Sequence, residues 1–154
     1  MSQELKVSRI RQGTVIDHIR PGMALTVLRI LGIGAAVSHS VVVAMNVPSG
    51  ALAHKDIVKV ENQVLDEETL KKIAIIAPHA TVNIIEDFEI TAKHHISLPR
   101  ALRGIIKCPN RNCISNQDHE RVSSFFICER EEPIEFRCHY CEALVQAEQA
   151  ELYA

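Results

Sequence analysis

Four of the five cysteines in this 154-residue chain form two closely spaced pairs near its C-terminus. Four residues separate Cys108 from Cys113, two separate Cys138 from Cys141, and residues 114–137 lie between the two pairs. Two such pairs on separate turns can place four thiolates around one tetrahedral Zn²⁺. The alternative is two disulfides, which a reducing cytosolic compartment disfavours. Because four protein ligands leave no open coordination position, we expect one structural Zn²⁺ per chain rather than a metallohydrolase.

Two further residues lie close to this pattern. The fifth cysteine, Cys128, ends an apolar run that begins at Phe125, and we expect it to be a small buried core residue. His139 stands between two predicted ligands, but four thiolates already fill the coordination shell. Neither residue is therefore assigned to the metal.

The charge of the cysteine-containing segment bears on its partners. Residues 101–154 carry six basic and nine acidic side chains, a net charge of −3, and four thiolates around Zn²⁺ add about −2. A zinc-ribbon nucleic-acid module, the second hypothesis, would instead present clustered Lys and Arg. Electrostatics therefore favours a chain with no nucleic-acid partner.

The first hundred residues alternate between strand-like and helix-like patterns. Short β-branched runs bounded by Gly and Pro predict strands, and apolar residues at helical spacing predict two helices. Asp66 has the position of an N-cap, and Pro78 ends the helix that follows it. In chain order the predicted elements are strand 14–19, helix 23–31, strand 38–47, strand 56–60, helix 66–77 and a last strand or hairpin formed by residues 81–85 and 88–91. The order is the split βαβ, or ferredoxin-like, βαββαβ arrangement.

A second, smaller unit is expected after this domain. Short β-like pieces at Val122–Cys128 and Ile134–Cys138 form no long helical stripe, so 54 residues need a metal to stabilise them. The fold class is therefore α+β, with a ferredoxin-like domain at 1–96, a linker at 97–100 and a zinc-ribbon-like β domain at 101–154. No apolar run is long enough to span a bilayer and the N-terminus lacks a signal sequence, so we expect no membrane partner and a cytoplasmic location.

Taken residue by residue, the polar groups of the first domain are unremarkable. Asp17 and Lys59 on predicted strands are typical of a solvated face, and Asp17 and His18 should point to opposite faces of their strand. Residues 93–95, Lys-His-His, are typical of a polar loop. A third hypothesis, a stand-alone enzyme, finds no support, because no nucleophile elbow, phosphate-binding loop or His-Glu-x-x-His motif occurs.

Five longer motifs nevertheless occur in the chain, namely Gly13–Ile19, Asn46–Gly50, Lys55–Asn62, Ala77–Asn83 and Cys108–Ser115. Together and in this order they closely resemble one family, the regulatory chain of aspartate carbamoyltransferase. The resemblance extends from Val7 to Cys141. It implies a ferredoxin-like domain that binds nucleotide effectors and pairs with a second regulatory chain, and a zinc domain that docks onto the catalytic chain. In that family six catalytic and six regulatory chains usually assemble into an enzyme for an early step of pyrimidine synthesis. CTP often inhibits that enzyme, and ATP often opposes the inhibition.

The resemblance also implies an effector pocket. Backbone atoms of Ile10 would lie at the base edge, Asp17 and Lys59 near the base and ribose, and His18 and Lys93 near the triphosphate. The remaining walls would be formed by Asn83, Ile85, Phe88 and Ile90. His94 and His95 receive no role from the family.

The chain also departs from the family at three positions. Ser8 and Arg9 stand where relatives commonly carry an acid and a small apolar residue. Phe88 replaces a frequent tyrosine, which removes a hydroxyl donor. These changes bear on the choice among CTP, ATP and UTP.

Overall fold

The computed structural model describes residues 10–34, 38–50 and 53–153 of the chain. It divides into two units, and the division falls between Ser97 and Leu98. Ser8 and Arg9, where the sequence departs from its relatives, lie outside the described residues. Within the described ranges no helix has the length and hydropathy that a membrane span requires.

The first unit is one antiparallel sheet with two helices. Its strands are arranged β2-β3-β1-β4-β5, and every neighbouring pair runs antiparallel. The predicted ferredoxin-like order is confirmed, with β5 added at one edge. The elements are β1 (Gly13–Ile19), α1 (Ala24–Ile30), β2 (Val41–Pro48), β3 (His54–Glu61), α2 (Glu67–Ile76), β4 (Thr81–Glu86) and β5 (Glu89–His95).

Helix α2 begins and ends close to where the sequence predicts. The side chain of Asp66 accepts a hydrogen bond from the Thr69 backbone N–H at 2.7 Å. Hydrogen bonds from Thr69 also hold the pKa of Asp66 below its usual value, because they favour the ionised carboxylate. The helix ends at Ile76, two residues before Pro78. Local sequence is therefore sufficient to define this element.

The two faces of the sheet differ in what covers them. Ile16, Val58 and Val82 point toward the helices and are at most 2% exposed. Val15 and Lys59, which alternate with Ile16 and Val58, belong to the opposite face and are only half-buried. One face therefore forms the core with α1 and α2, and the other is open.

A buried carboxylate joins three parts of the first unit. Asp56 in β3 is fully buried, and its oxygens accept hydrogen bonds from the backbone N–H groups of Gly22, Ala24 and Asn46 at 2.8–3.0 Å. Gly22 and Ala24 lie at the start of α1, and Asn46 lies at an irregularity in the pairing of β2. The side chain therefore fixes both elements to β3.

Replacing Asp56 with alanine should lower the free energy of unfolding by about 3 kcal/mol, because three backbone N–H groups, one of them on the buried Ala24, lose their acceptor. Urea unfolding monitored by circular dichroism measures the change. Asp118→Ala is the matched control, since Asp118 is exposed and its side chain makes no hydrogen bond or ion pair with the described residues. Equal unfolding midpoints for the two variants would contradict a structural role for Asp56.

The second unit consists of short strands. A four-stranded sheet has the order β10-β9-β8-β6, and β7 pairs with β11 in a separate two-stranded ladder. Its core includes Phe126 and Phe136, both fully buried. Of the two β-like pieces expected, β9 begins and ends as predicted, whereas β8 begins three residues late. The strands are β6 (Ala101–Arg103), β7 (Ile106–Lys107), β8 (Phe125–Glu131), β9 (Ile134–Cys138), β10 (Leu144–Gln146) and β11 (Glu151–Leu152).

Candidate metal centre and ligand cavity

Four cysteine side chains meet in the second unit. The Sγ atoms of Cys108, Cys113, Cys138 and Cys141 all lie within 4.8 Å of one another. The Sγ atoms of Cys108 and Cys141 are 3.5 Å apart, and those of Cys113 and Cys138 are 3.7 Å apart. All four thiols are free, and a disulfide would bring two sulfurs to about 2.05 Å. The spacing instead suits a shared tetrahedral ion with Zn–S bonds of about 2.3 Å.

Two loops hold the cysteines in place. In the first, the Asn116 side-chain amide donates to the carbonyl oxygens of Cys108 and Asn110 at 2.9 and 2.7 Å. In the second, the backbone N–H of Cys138 donates to the Ala143 carbonyl oxygen at 2.9 Å. Hydrogen bonds that do not involve the sulfur atoms therefore shape both loops. The four Sγ atoms can then point toward one common centre.

Burial and local hydrogen bonds set the protonation of these thiols. Burial raises the pKa of Cys108 and of Cys138, because it disfavours the charged thiolate. Burial is the largest single influence on Cys141 and acts in the same direction, but hydrogen bonds with Ala143, Asn110, Cys108 and Cys138 together outweigh it and lower the pKa of Cys141 to about 7. Three of the four cysteines are buried. A cation bound among them would offset the cost of burying several thiolates.

The donor set fits a tetrahedral thiolate metal site, and no other residue considered from the sequence joins it. The ring of His139 packs edge-on against Phe125 and Tyr140, with centroids 5.2 and 5.3 Å apart. Cys128 is half-buried rather than buried, and its Sγ lies 3.5 Å from the carbonyl oxygen of Arg130. The expectation that Cys128 is a small buried apolar residue is therefore wrong, because its side chain is only half-buried.

The C-terminal segment approaches the same cluster. Strand β11 pairs with β7, which immediately precedes Cys108, and the Tyr153 backbone N–H donates to the Ile105 carbonyl oxygen at 2.9 Å. Burial raises the pKa of Tyr153, and negative charge on Cys108 and Cys113 raises it further. Sequence reasoning missed this contact, because two-residue strands leave no periodic pattern.

A cavity of about 550 Å³ opens on the uncovered face of the sheet in the first unit. Its volume is typical of a site for a small organic ligand or cofactor. Seven of the nine residues implied by the family resemblance line it, namely Ile10, Asp17, Lys59, Asn83, Ile85, Phe88 and Ile90. Three lining residues were not singled out from the sequence, namely Val15, Ile57 and Glu89. Alternation along their strands places Val15 and Ile57 on the open face.

One wall of the cavity contains an unsatisfied polar group. Asn83 is only 7% exposed, and its Oδ1 has no hydrogen-bond partner within the described part of the chain. A buried amide oxygen that accepts no hydrogen bond costs about 1–3 kcal/mol. A ligand with an N–H or O–H group in the cavity would remove that cost.

Asp17 is paired with a lysine at the side of the cavity. The Lys55 ammonium nitrogen lies 2.9 Å from one carboxylate oxygen of Asp17 and 3.2 Å from the other. The strand position of Asp17 alone suggested a solvated charge. Asp17 is instead part of an ion pair. Lys55 itself does not line the cavity.

His18 breaks the regular alternation of β1. Its φ is +58°, and the pairing of β1 with β3 is irregular between Ile16 and Ile19. The His18 backbone N–H donates to Asp17 Oδ1 at 2.6 Å, and its ring Nδ1 lies 3.2 Å from Thr81 Oγ1. Since Thr81 is directly opposite Asp17, the expectation that Asp17 and His18 point to opposite faces is wrong. His18 does not line the cavity but belongs to the same open face.

Lys93 also does not line the cavity, yet the register of the sheet places it on the same face. Val15 is paired with Lys59 on one side and with Asn83 on the other, and Asn83 is paired with Lys93. Residues directly opposite each other in antiparallel strands share a face. The interpretation of residues 93–95 as a loop is therefore wrong, because they form the end of β5.

One unit thus contains a ligand-sized cavity, and the other contains four thiols that could hold a metal ion, a combination that suits a regulatory protein with a metal-binding part. Residues 5–97 match the family model described as the allosteric domain of the aspartate carbamoyltransferase regulatory chain. Residues 100–151 match the model of the metal-binding domain of the same chain. The protein thus belongs to the family of aspartate carbamoyltransferase regulatory chains.

Relatives cover almost the whole chain. It is similar to the aspartate carbamoyltransferase regulatory chain of Methanocella arvoryzae, with 48% identity over 97% of this chain and 96% of the relative. The regulatory chain of Saccharolobus islandicus is 49% identical over 94% of this chain and 91% of its own length. That of Thermococcus kodakarensis is 48% identical over 97% of both chains. The protein is therefore a regulatory, non-catalytic chain, and the hypothesis of a stand-alone enzyme is excluded.

Proposed function

We propose that the open-face cavity binds nucleoside triphosphates and that the chain passes their effect to the catalytic chains of aspartate carbamoyltransferase. CTP, ATP and UTP are the candidate effectors, and the pathway is de novo pyrimidine biosynthesis in the cytoplasm. The observation that carries this proposal is the buried, unpartnered Oδ1 of Asn83 in a cavity of about 550 Å³. Amino, imide or hydroxyl groups of a nucleoside would donate to that oxygen.

The charges around the cavity suit a polyphosphate. Lys59 lines it, and Lys93 lies on the same face one strand beyond Asn83. His18 approaches the same end of the face through Thr81. Lysine supplies compact cations for a triphosphate with several negative charges. Phe88 and Ile90, more than half exposed at the opposite end, would contact the base.

The metal we propose is Zn²⁺, one per chain, held by the four clustered cysteines. Thiolate ligands favour zinc over harder cations such as Mg²⁺, and a closed four-ligand shell is typical of a structural site. The ion would supply folding energy to the second unit. The residues of that unit would then present the surface onto which the catalytic chain docks.

A second copy of the chain is the other partner we propose, paired through β2. Both β2 and β5 are edge strands, but they differ in composition. Strand β5 carries charged and histidine residues, which protect an edge, whereas β2 contains the apolar run Val41–Met45. An apolar edge with free backbone groups is suited to antiparallel pairing with a second copy.

Lys59→Ala should weaken CTP binding by about ten- to a hundredfold, because a charged hydrogen-bonding partner of the ligand is lost. Isothermal titration of the regulatory chain with CTP measures the affinity. The nucleotide response of the holoenzyme, assayed with the catalytic chain, should weaken in parallel. Zinc content and assembly should remain unchanged, because Lys59 is far in sequence from the four cysteines and lies in the other unit.

Lys71→Ala is the matched control for this experiment. It removes the same charge from α2, whereas Lys59 belongs to the open face of the sheet. Its CTP affinity should equal that of the unmodified chain. If Lys59→Ala also binds CTP with unmodified affinity, nucleotide binding in this cavity is refuted.

A further inference from the structure

One serine hydroxyl lies against the four-cysteine cluster. The Oγ atom of Ser115 is 3.2 Å from the Sγ atom of Cys113, two residues earlier in the same loop. Cys113 is 2% exposed and Ser115 is half-buried, so the contact is partly shielded from water. None of the other three cysteines occupies this position, because they belong to the opposite side of the cluster or to the second loop.

A short turn places Ser115 next to the sulfur. Residues Ile114–Asn116 form one 3-10 turn directly after Cys113. The backbone N–H of Asn116 donates to the Cys113 carbonyl oxygen at 2.9 Å, and its side-chain amide donates to two further carbonyl oxygens of the same loop. These bonds hold the turn in place without the hydroxyl of Ser115. The hydroxyl is therefore free to serve the sulfur.

The chemistry of a metal-bound sulfur decides which of the two atoms donates. A thiol and a hydroxyl can each donate to the other, but a thiolate that ligates a metal ion carries no proton and can only accept. The Ser115 hydroxyl is then the donor. Hydrogen bonds to an anionic acceptor are shorter and stronger than those between neutral groups, so a bound metal ion would strengthen this contact.

We infer that Ser115 is a positioning residue of the metal site, whose hydroxyl donates a hydrogen bond to the Cys113 thiolate and so helps to retain the ion. This inference rests on the zinc site proposed above. Groups that hydrogen-bond to a metal ligand fix its orientation, and their loss typically weakens metal binding about 10–100-fold. Ser115 would act in this way on one of the four ligands.

The first test compares the zinc affinity of three variants of the full regulatory chain. Competition with a chromogenic chelator measures the affinity, and Ser115→Ala should bind Zn²⁺ about tenfold more weakly than the unmodified chain. Ser115→Thr retains the hydroxyl and should bind Zn²⁺ with unmodified affinity. Ser123→Ala is the matched control, because it removes the same hydroxyl from an exposed residue of the same unit.

The absorption spectrum of the Co²⁺-loaded chain separates a hydrogen bond to sulfur from mere support of the loop. Bands that transfer charge from thiolate to Co²⁺ depend on the energy of the sulfur electrons, which a hydrogen bond to the sulfur lowers. Loss of the Ser115 hydroxyl should therefore shift these bands to longer wavelength. Ser115→Thr and Ser123→Ala should leave the bands in place.

The combined results decide the role of Ser115. If Ser115→Ala keeps both the zinc affinity and the band positions of the unmodified chain, the contact with Cys113 has no effect on the metal and the zinc site survives. If the affinity falls while the bands stay in place, Ser115 supports only the loop, and the inference is overturned. If the unmodified chain binds neither Zn²⁺ nor Co²⁺, both the proposed zinc site and this inference are refuted.

Discussion

Cys138→Ala should abolish zinc binding and unfold the second unit. Structural zinc sites contribute roughly 10–16 kcal/mol of apparent binding free energy, which is also folding free energy. The core of a unit spanning only residues 98–154 rarely supplies more than about 3–5 kcal/mol. Loss of one thiolate therefore removes more stabilisation than the unit has. Elemental analysis measures the zinc, and circular dichroism measures the loss of the small sheets.

Cys128→Ser is the matched control for that result. Its sulfur is not part of the four-cysteine cluster and contacts the Arg130 carbonyl oxygen. The variant should keep one zinc per chain and a folded second unit. Zinc retained by Cys138→Ala together with an intact sheet would contradict the assignment of Cys138 as a ligand. Absence of zinc from the unmodified protein would contradict the metal site as a whole.

Features set by local sequence could be predicted well. The Asp66 cap and Pro78 define α2 without help from distant residues, and the hydrogen bond to the Thr69 N–H forms as expected. The cysteine cluster could be anticipated for a similar reason, because the spacing within each pair is set by one loop. Only the meeting of the two loops, across the strand pair β8 and β9, depends on tertiary structure.

Features set by pairing could not be predicted in this way. The end of β5 is exposed on both faces, so residues 93–95 lack the alternation of apolar and polar side chains that marks a strand. The backbone hydrogen bonds to β4 define it instead. His18 likewise enters the left-handed region at a register irregularity, where period-two reasoning fails. The cavity could be assembled from sequence only through the family resemblance, since its residues come from four strands, from Phe88 in the turn between β4 and β5, and from Ile10.

Removing zinc from the assembled enzyme with a mercurial should separate its two activities. The mercurial removes thiolate-bound zinc, so the second unit unfolds and its docking surface for the catalytic chain is lost. The first unit has its own core, which includes Ile16, Val58 and Val82, and should continue to bind nucleotides. Gel filtration should resolve free catalytic chains that are active but insensitive to CTP and ATP. The released regulatory chains should elute as dimers if β2 edges pair.

The physical reason is that coupling requires a connected assembly. An effector shifts catalysis only if it binds two states of that assembly with different affinity. Nucleotide binding to a detached regulatory chain cannot change the equilibrium between the states of the catalytic chains. Adding dithiothreitol and Zn²⁺ should restore both coelution and nucleotide response. The Cys128→Ser holoenzyme should dissociate at the same mercurial dose, which assigns the effect to the four-cysteine cluster and not to Cys128. If treated catalytic chains still coelute with the zinc-free regulatory chains and still respond to CTP, docking does not depend on a folded metal domain. The proposed division of labour between the two units would then be wrong.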